Sequence, residues 1–505
     1  MRDMIFFNPF GATTSPGDAF SSVKPGVVMP HFGRSAVDKL PKPAFLVPAV
    51  IEALTKCPDW TSLVQVVPGE ADVFCAQDVR EHGGIVLTSD SDLLVQDLGL
   101  DGRVSFFWGI VYDSSWGTPK LCTPTFSFHS INDQLGIKGI GGLPRVVYEQ
   151  KINSPLVFEE AITKAKEGSK DTLTSPGYLN FIKEYQTNEC LLDDHAVLDS
   201  ISLLDPRISE IVVQTLIMKE PGLVSDTQTR QTDRGPEVLS MFLPIMTENR
   251  DLRSCWTAST NIRATAYGIL QVLSSHRSEK IIEYRTLDPS SGRSGRKVDI
   301  PGAAETLDAC TQLVSTLKRL QECLPSQNGF WYALAVLQDV ESSVVDDRTS
   351  LSATLLSQAT STVTDVYEYS WDIIHYAAQV QASYYSMRIM KQALDVVLAQ
   401  RPDSPEPFRE LCESLASLPP IQEWPTVEGM SALLSASVSR NILSTVTDIL
   451  GVPRIDLAQL ASESSALKRK KRKQKTDNSR MYGQGAGKKS PSLNPFAILS
   501  EASQE

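Results

Sequence analysis

From residue 44 onward, apolar and polar positions follow recognisable periods. AFLVPAVIEALTK (44–56) sets its apolar groups on one helical face, where Pro48 must lie near the first turn or kink the helix. The short run Leu63–Val67 (LVQVV) predicts a buried strand, and Pro68-Gly69 ends it. Residues 70–82 (EADVFCAQDVREH) then predict an amphipathic helix with Ala71, Phe74, Cys75 and Val79 inward. Gly83-Gly84 breaks it, Ile85-Val86-Leu87 predicts a second buried strand, and Val104–Tyr112 (VSFFWGIVY) another. Strand, helix and strand in succession make a βαβ unit, which implies a parallel sheet.

Beyond about residue 130 the helical period dominates. It predicts helices over 155–167, 207–219, 236–247, 257–275 and 303–323, and a longer one over 364–400. In the longest, Val366, Ile373, Ala377, Val380, Tyr384, Met387, Leu394 and Val397 form a stripe. A hairpin of Lys280–Leu287 against Arg296–Ile300 interrupts the series, joined by DPSSGRSG. No repeat of fixed period occurs, so a solenoid is not expected. Residues 1–41, rich in Gly, Pro and Ser, have no period and predict an irregular segment. The polar stretch 463–505 predicts a disordered basic tail. The expected architecture is an α/β domain with a parallel sheet over 42–130, and an α-helical domain over 131–462 carrying a small hairpin near 280–300.

Composition narrows the class. The chain has 505 residues, 41% hydrophobic and 21% charged, a balance suited to globular domains and not to a collagen or a wholly disordered chain. The longest apolar run, Pro43–Ile51, is far short of the roughly 20 residues that cross a bilayer. The N-terminus lacks the sustained apolar region of a secretory signal. Eight cysteines lie far apart with no CxxC pair, reading as reduced thiols of a nuclear or cytoplasmic protein. The net charge of −12 is uneven: from Ala466 onward ten basic residues face three acidic ones, a tail of +7, which leaves −19 on the rest. A body so acidic repels nucleic acid unless local cations change the sign.

Candidate chemistry concentrates in residues 66–95. Glu70 and Asp72 stand where a predicted strand gives way to a helix, and Asp90 and Asp92 follow the next strand. Adjacent C-terminal ends of parallel strands form the crevice where ligands bind. Four carboxylates gathered there call for a hard divalent cation, Mg²⁺ or Mn²⁺. Two such ions roughly 3.5–4 Å apart can activate water for phosphodiester hydrolysis. The plainer alternative is that Ser89 or Asp90 caps the next helix and that Glu70 and Asp72 favour a helix N-terminus.

GEAD, the helix after it, GG-IVLTSDSDLL and the 18-residue interval from Asp72 to Asp90 resemble the internal region of the XPG/flap-endonuclease superfamily, a PIN-like nuclease fold. FLVPAVIEALTKCPDW before the motif and VSFFWGIVYD after it look most like the Asteroid branch. The specific resemblance covers about residues 42–115. It implies that Glu70, Asp72, Asp90 and Asp92 hold catalytic Mg²⁺ or Mn²⁺ in a structure-selective nuclease acting on DNA or RNA. Asp72 stands where many relatives have Glu. The superfamily's N-terminal strand, with further metal aspartates, has no match in residues 1–41, so the region is lost or the gene model truncated. LGIKGIGGLPR (135–145) resembles the superfamily's glycine loop, but the place of its preceding metal aspartate falls near Asn132, beside Asp133. These departures predict an impaired enzyme. The alternative is a non-catalytic PIN-like scaffold whose helical domain binds protein or RNA.

Other segments carry weaker expectations. Backbone amides of the 135–145 loop, with Lys138, Gly139, Gly141 and Arg145, can cradle a nucleic-acid phosphate, or the loop is a ligand-free helix connection. Tyr367, Tyr369, Trp371, Tyr376, Tyr384 and Tyr385 offer base-stacking surfaces, or simply helical core. The isolated histidines, His82 and His375 among them, suit surface or core. The run Lys468, Arg469, Lys470, Lys471, Arg472, Lys473 reads as a nuclear-localisation signal, a nucleic-acid contact, or a solvated tail.

Overall fold

A computed structural model describes residues 44–67, 71–113, 120–153, 156–183, 185, 199–202, 204–217, 238–249, 251–285, 295–324, 326–359, 370–434 and 436–451. Glu70, the segment 1–41 and the basic tail, with Lys468–Lys473, lie outside them. In chain order the first elements are α1 (Leu46–Lys56), α2 (Ala71–His82), β1 (Gly84–Thr88), β2 (Gly102–Phe106), β3 (Val111–Asp113) and β4 (Lys120–Cys122). Helices α3 (Phe128–Leu135), α4 (Gly142–Ile152), α5 (Phe158–Glu167), α6 (Pro176–Lys183) and α7 (Pro206–Ile217) follow. Then come β5 (Leu239–Phe242), α8 (Thr260–Leu270), β6 (Lys280–Tyr284) and β7 (Arg296–Asp299). The last helices are α9 (Ala303–Cys323), α10 (Gln327–Val345), α11 (Leu351–Ala359), α12 (Trp371–Gln400), α13 (Glu406–Ser414), α14 (Met430–Leu433) and α15 (Ala436–Leu450). None is long and apolar enough to cross a membrane.

The chain divides into two compact units. The first takes in the described residues of Met1–Trp256, Thr260–Leu317 and Gln381–Trp424, the second those of Thr257–Ser259, Lys318–Val380 and Pro425–Glu505.

Within the first unit, β1 and β2 are parallel, with Gly84 opposite Gly102 and Thr88 opposite Phe106. One apolar core joins this pair to its helices: Ala76 and Val79 of α2, Val86, Val104 and Phe106 of the strands, and Ile131, Leu143, Val146 and Ala161 from α3, α4 and α5. The core passes through residue 130, where the sequence pattern turns helical, without a break. Gly102 lets α2 lie close: a Cβ there would stand 2.8 Å from Val79 Cγ1 and 2.2 Å from the Leu98 carbonyl oxygen. A separate sheet has β5 parallel to β6 and β6 antiparallel to β7. Behind it, Arg263 Nε donates to Glu283 Oε1 at 2.7 Å, with both side chains fully buried. Tyr267 Oη and Arg285 also donate to that carboxylate. The α1 helix is tied down through Glu52, which pairs with Arg388 and accepts from Ile421 N–H at 2.9 Å.

The second unit packs α10 and α11 with α15, burying Val336, Val340, Leu356, Ile442 and Val446. Asp339 is buried there and accepts from Ser350 Oγ at 2.7 Å and Ser352 N–H at 2.9 Å.

Several elements differ from those the pattern predicts. Leu63–Val67 is not a strand: Thr61–Leu63 is a 3-10 turn, and Val66 N–H donates to Ser202 O rather than to a ladder. The parallel pair is therefore β1 with β2. Val104–Tyr112 divides, because the 3-10 turn Phe107–Gly109 separates β2 from β3. Where a helix is predicted over 236–247, the described residues from Val238 onward hold strand β5 and then a segment without regular structure. Leu239, Met241 and Leu243 alternate into the core, and Pro244 would break a helix. In α2 the inward residues are Ala76 and Val79, whereas Ala71 and Cys75 are exposed. The 280–300 hairpin and the 303–323 helix form as predicted.

Candidate active site

The acidic pairs belong to two elements that double back on each other. Gly83 alone separates α2 from β1, so the helix returns along the strand and packs on β1, β2 and the 3-10 turn Asp92–Leu94. Twelve helical residues rise about 18 Å, and the seven residues from Gly84 to Asp90 span about 23 Å when extended. Asp72, in the first turn of α2, and Asp90, just past β1, thus lie toward the same end of this layer. Asp72 and Asp92 are half-buried and Asp90 is exposed. Glu70 immediately precedes α2.

Local bonding fixes the turn after β1. Asp90 N–H donates to Thr88 Oγ1 at 2.9 Å, and Asp90 Oδ1 accepts from Asp92 N–H at 3.0 Å. Asp90 therefore does what a capping residue does, whatever else it binds. The turn opens on a cleft lined by Ser91, Asp92, Leu94, Val95, Leu143, Val147 and Gln150. Gln150 Nε2 donates to Leu156 O, while its Oε1 is a buried acceptor with no partner among the described residues.

Among the described residues no three His, Cys, Asp or Glu side chains gather as a metal-holding group. The carboxylates at this edge, and the orphaned Gln150 Oε1 beside Asp92, are nevertheless all oxygen acceptors, the donor chemistry of a hard divalent cation and its waters. Asp72, Asp90 and Asp92 match Mg²⁺ or Mn²⁺ in donor type only, since they are not gathered into a metal-holding group. The thiol of Cys75, exposed on α2, is pushed up by burial of its sulfur and then by Asp72 and Asp78, which suits a protonated, non-ligating group.

The glycine loop is more self-contained than its sequence implies. Asn132 is buried, and its Oδ1 accepts from Leu143 N–H at 2.9 Å. Gly142, at φ +67°, faces that amide so closely that a Cβ would stand 3.1 Å from it. The amides of Gly136, Ile137, Ile140, Gly142 and Leu143 all donate to acceptors in the loop or the preceding helix. Those five amides are therefore committed within the protein and are not offered to a phosphate oxygen. Lys138 Nζ lies 3.4 Å from Asp133, both exposed, while Gly139 faces open space. Arg145 is only 3% exposed, and its guanidinium meets Glu149 at 2.6 Å. Its charge faces Glu149 and not solvent, which corrects the expectation that Arg145 helps the loop cradle a phosphate.

The aromatic residues near 370–385 are mainly core: Tyr376, Tyr384 and Tyr385 are buried, Trp371 is partly exposed, and Tyr367 and Tyr369 lie outside the described residues. His375 is buried and His82 exposed. The exposed aromatics of this edge are instead Phe107 and Trp108. Two consecutive bulky rings before a glycine break strand alternation, and that was the available signal.

A family model described as XPG domain containing matches residues 42–299. No curated protein and no solved structure matches the chain.

Proposed function

The chain belongs to the XPG-domain-containing family, and on that footing we propose that it is a nucleic-acid-binding module of the Asteroid branch whose acidic edge hydrolyses phosphodiesters slowly. The single observation behind this reading is the doubling back of α2 on β1, which sends Asp72 and Asp90 toward one end of the layer, beside the cleft at Asp92. Glu70, Asp72, Asp90 and Asp92 would hold Mg²⁺ or Mn²⁺. When bound, the cation supplies positive charge for the attacking water and the leaving oxygen. Gln150 Oε1 accepts a hydrogen bond from a water in the cleft and so orients it. The apolar walls, Leu94, Val95, Leu143 and Val147, limit the other waters that can enter. Lys138, Gly139 and Gly141 contact backbone phosphate at the glycine loop.

Two features make the reaction slow. Asp90 Oδ1 is already engaged by Asp92 N–H, and Asn132 is a neutral group committed to Leu143 N–H. Asn132 also favours the second reading, a scaffold that binds without cutting. The run Lys468–Lys473 would direct the protein to the nucleus.

The purified 505-residue protein should be assayed on flap, bubble and single-stranded substrates with Mg²⁺ or Mn²⁺, with and without EDTA, beside Asp90→Ala/Asp92→Ala. We expect weak cleavage that both EDTA and the double substitution abolish. Equal background from both proteins would leave the scaffold reading, and robust cleavage would overturn the slow site.

A further inference from the structure

Two large aromatic side chains stand where β2 ends. Phe106 closes the strand in the core, while Phe107 and Trp108, next in the chain, are 55% and 65% exposed. The 3-10 turn Phe107–Gly109 holds both. The Trp108 ring lies nearly parallel to Phe106, at 5.1 Å between centroids and 13° between planes. Phe106 is itself set by Phe126, 5.6 Å away in the core. The indole is thus oriented from beneath by a buried ring, and much of its surface faces solvent.

Strand register places this pair beside the acidic turn. Thr88 and Phe106 are Cα partners across the parallel ladder. Asp90 lies two residues past the first and Trp108 two past the second, each within about 7 Å of chain from the paired ends. Farther along, Tyr112 and Leu121, partners across β3 and β4, are also exposed. A flat, pre-oriented ring accepts the face of any base and needs no positive charge to do so. That matters at an edge whose own charges are carboxylates, where phosphate contacts alone are disfavoured.

We propose that Phe107 and Trp108 form a stacking platform for unpaired nucleobases, which seats a single-stranded segment across the acidic edge. The inference rests on the reading of that edge as a nucleic-acid site, and adds that the strand is held there by its bases and in single-stranded form.

The test is binding, read by fluorescence anisotropy in EDTA at about 50 mM salt, where electrostatic contacts are still strong. Labelled oligothymidine of about 20 nucleotides, longer than one stacking surface needs, is compared with an abasic strand of the same length. The proteins are wild type, Trp108→Ala, Phe107→Ala, Trp108→Phe and Asp90→Ala/Asp92→Ala. Trp108→Ala should weaken oligothymidine binding at least about fivefold, the scale of one lost base–ring stack, and Trp108→Phe should keep most of the affinity. The wild type should bind the abasic strand more weakly, and Trp108→Ala should change that binding little. The double aspartate variant should bind oligothymidine at least as well as wild type, so an inactive metal site and a failed platform give different results. Urea midpoints check that each variant folds, and Phe107→Ala carries the test if Trp108→Ala does not. Unchanged affinity in both aromatic variants, or equal wild-type affinity for the two strands, would overturn the proposal. So would loss of self-association in light scattering by Trp108→Ala with oligothymidine affinity intact, which would assign the rings to a protein contact.

Discussion

Glu283 is a carboxylate with no water to face. Burial alone pushes its pKa up, but Arg263 and Arg285 outweigh that and hold it down to about 2. In the unfolded chain a Glu titrates near about 4.3. The folded value is the lower one, so the group's stabilisation is complete above the unfolded pKa and is lost as pH falls toward about 2. The difference corresponds to about 3 kcal/mol. Urea unfolding followed by circular dichroism at pH 6, 4 and 3 should therefore show stability falling across the two lower steps. Glu283→Gln should cost about 3–5 kcal/mol at pH 6, because it leaves the buried charge of Arg263 without its compensating carboxylate, and should flatten the acid limb. Equal pH profiles for the two proteins would exclude this carboxylate as the source. None of this was legible in the chain, where Glu283 reads as one polar residue of a hairpin. Its partners lie 20 residues before it, in α8, and two residues after it.

At the scale of elements, the glycine loop depends on a side chain that looks like a lost ligand. Asn132 Oδ1 answers the Leu143 N–H, an amide in the first turn of α4 with no helical acceptor behind it. Asn132→Ala should leave that donor buried and unsatisfied, at a cost of about 1–3 kcal/mol. Urea midpoints would measure the loss, and faster hydrogen exchange at Leu143 would locate it. An unchanged midpoint would mean that another acceptor or water replaces the side chain. The elements that the sequence foretold are those with a long clear period, such as α2, α9 and the β6–β7 hairpin. Those it missed are short apolar runs in which both periods fit. Leu239–Leu243 reads equally as a helix face until β6 supplies a ladder partner, and Leu63–Val67 has apolar residues but no described strand to pair with. The acidic pairs were legible as a motif because each sits at an element's end. The burial of Arg145 was not, since only the fold brings Glu149 and Arg145 into a closed core.

For the whole molecule, charge is divided between a body of −19 and a tail of +7 from Ala466 onward. Of the glycine-loop cations, Arg145 is buried against Glu149, and only Lys138, in an exposed ion pair with Asp133, still reaches solvent. Affinity for a single strand should therefore divide by mechanism, salt-sensitive through the tail and salt-tolerant through the rings at Phe107 and Trp108. Each phosphate neutralised adds about −0.7 to the slope of log affinity against log salt for single strands. Removing residues 463–505 should flatten that slope by several-fold while leaving the Trp108 dependence in place. Anisotropy titrations across a salt series would measure both, and an unchanged slope would mean that the tail makes no phosphate contact.

Gly102 carries no functional group and stands at the start of β2, the end of the ladder remote from Asp90, yet it fixes how closely α2 approaches the sheet. A methyl group there would press on Leu98 and on the Val79 turn of α2, and a stiff helix pushed at that turn changes its tilt at the far turn, which bears Asp72. In a genetic screen for loss of function, such a substitution would score with the acidic residues although it touches none of them. Proximity in effect, at this site, is not proximity in space.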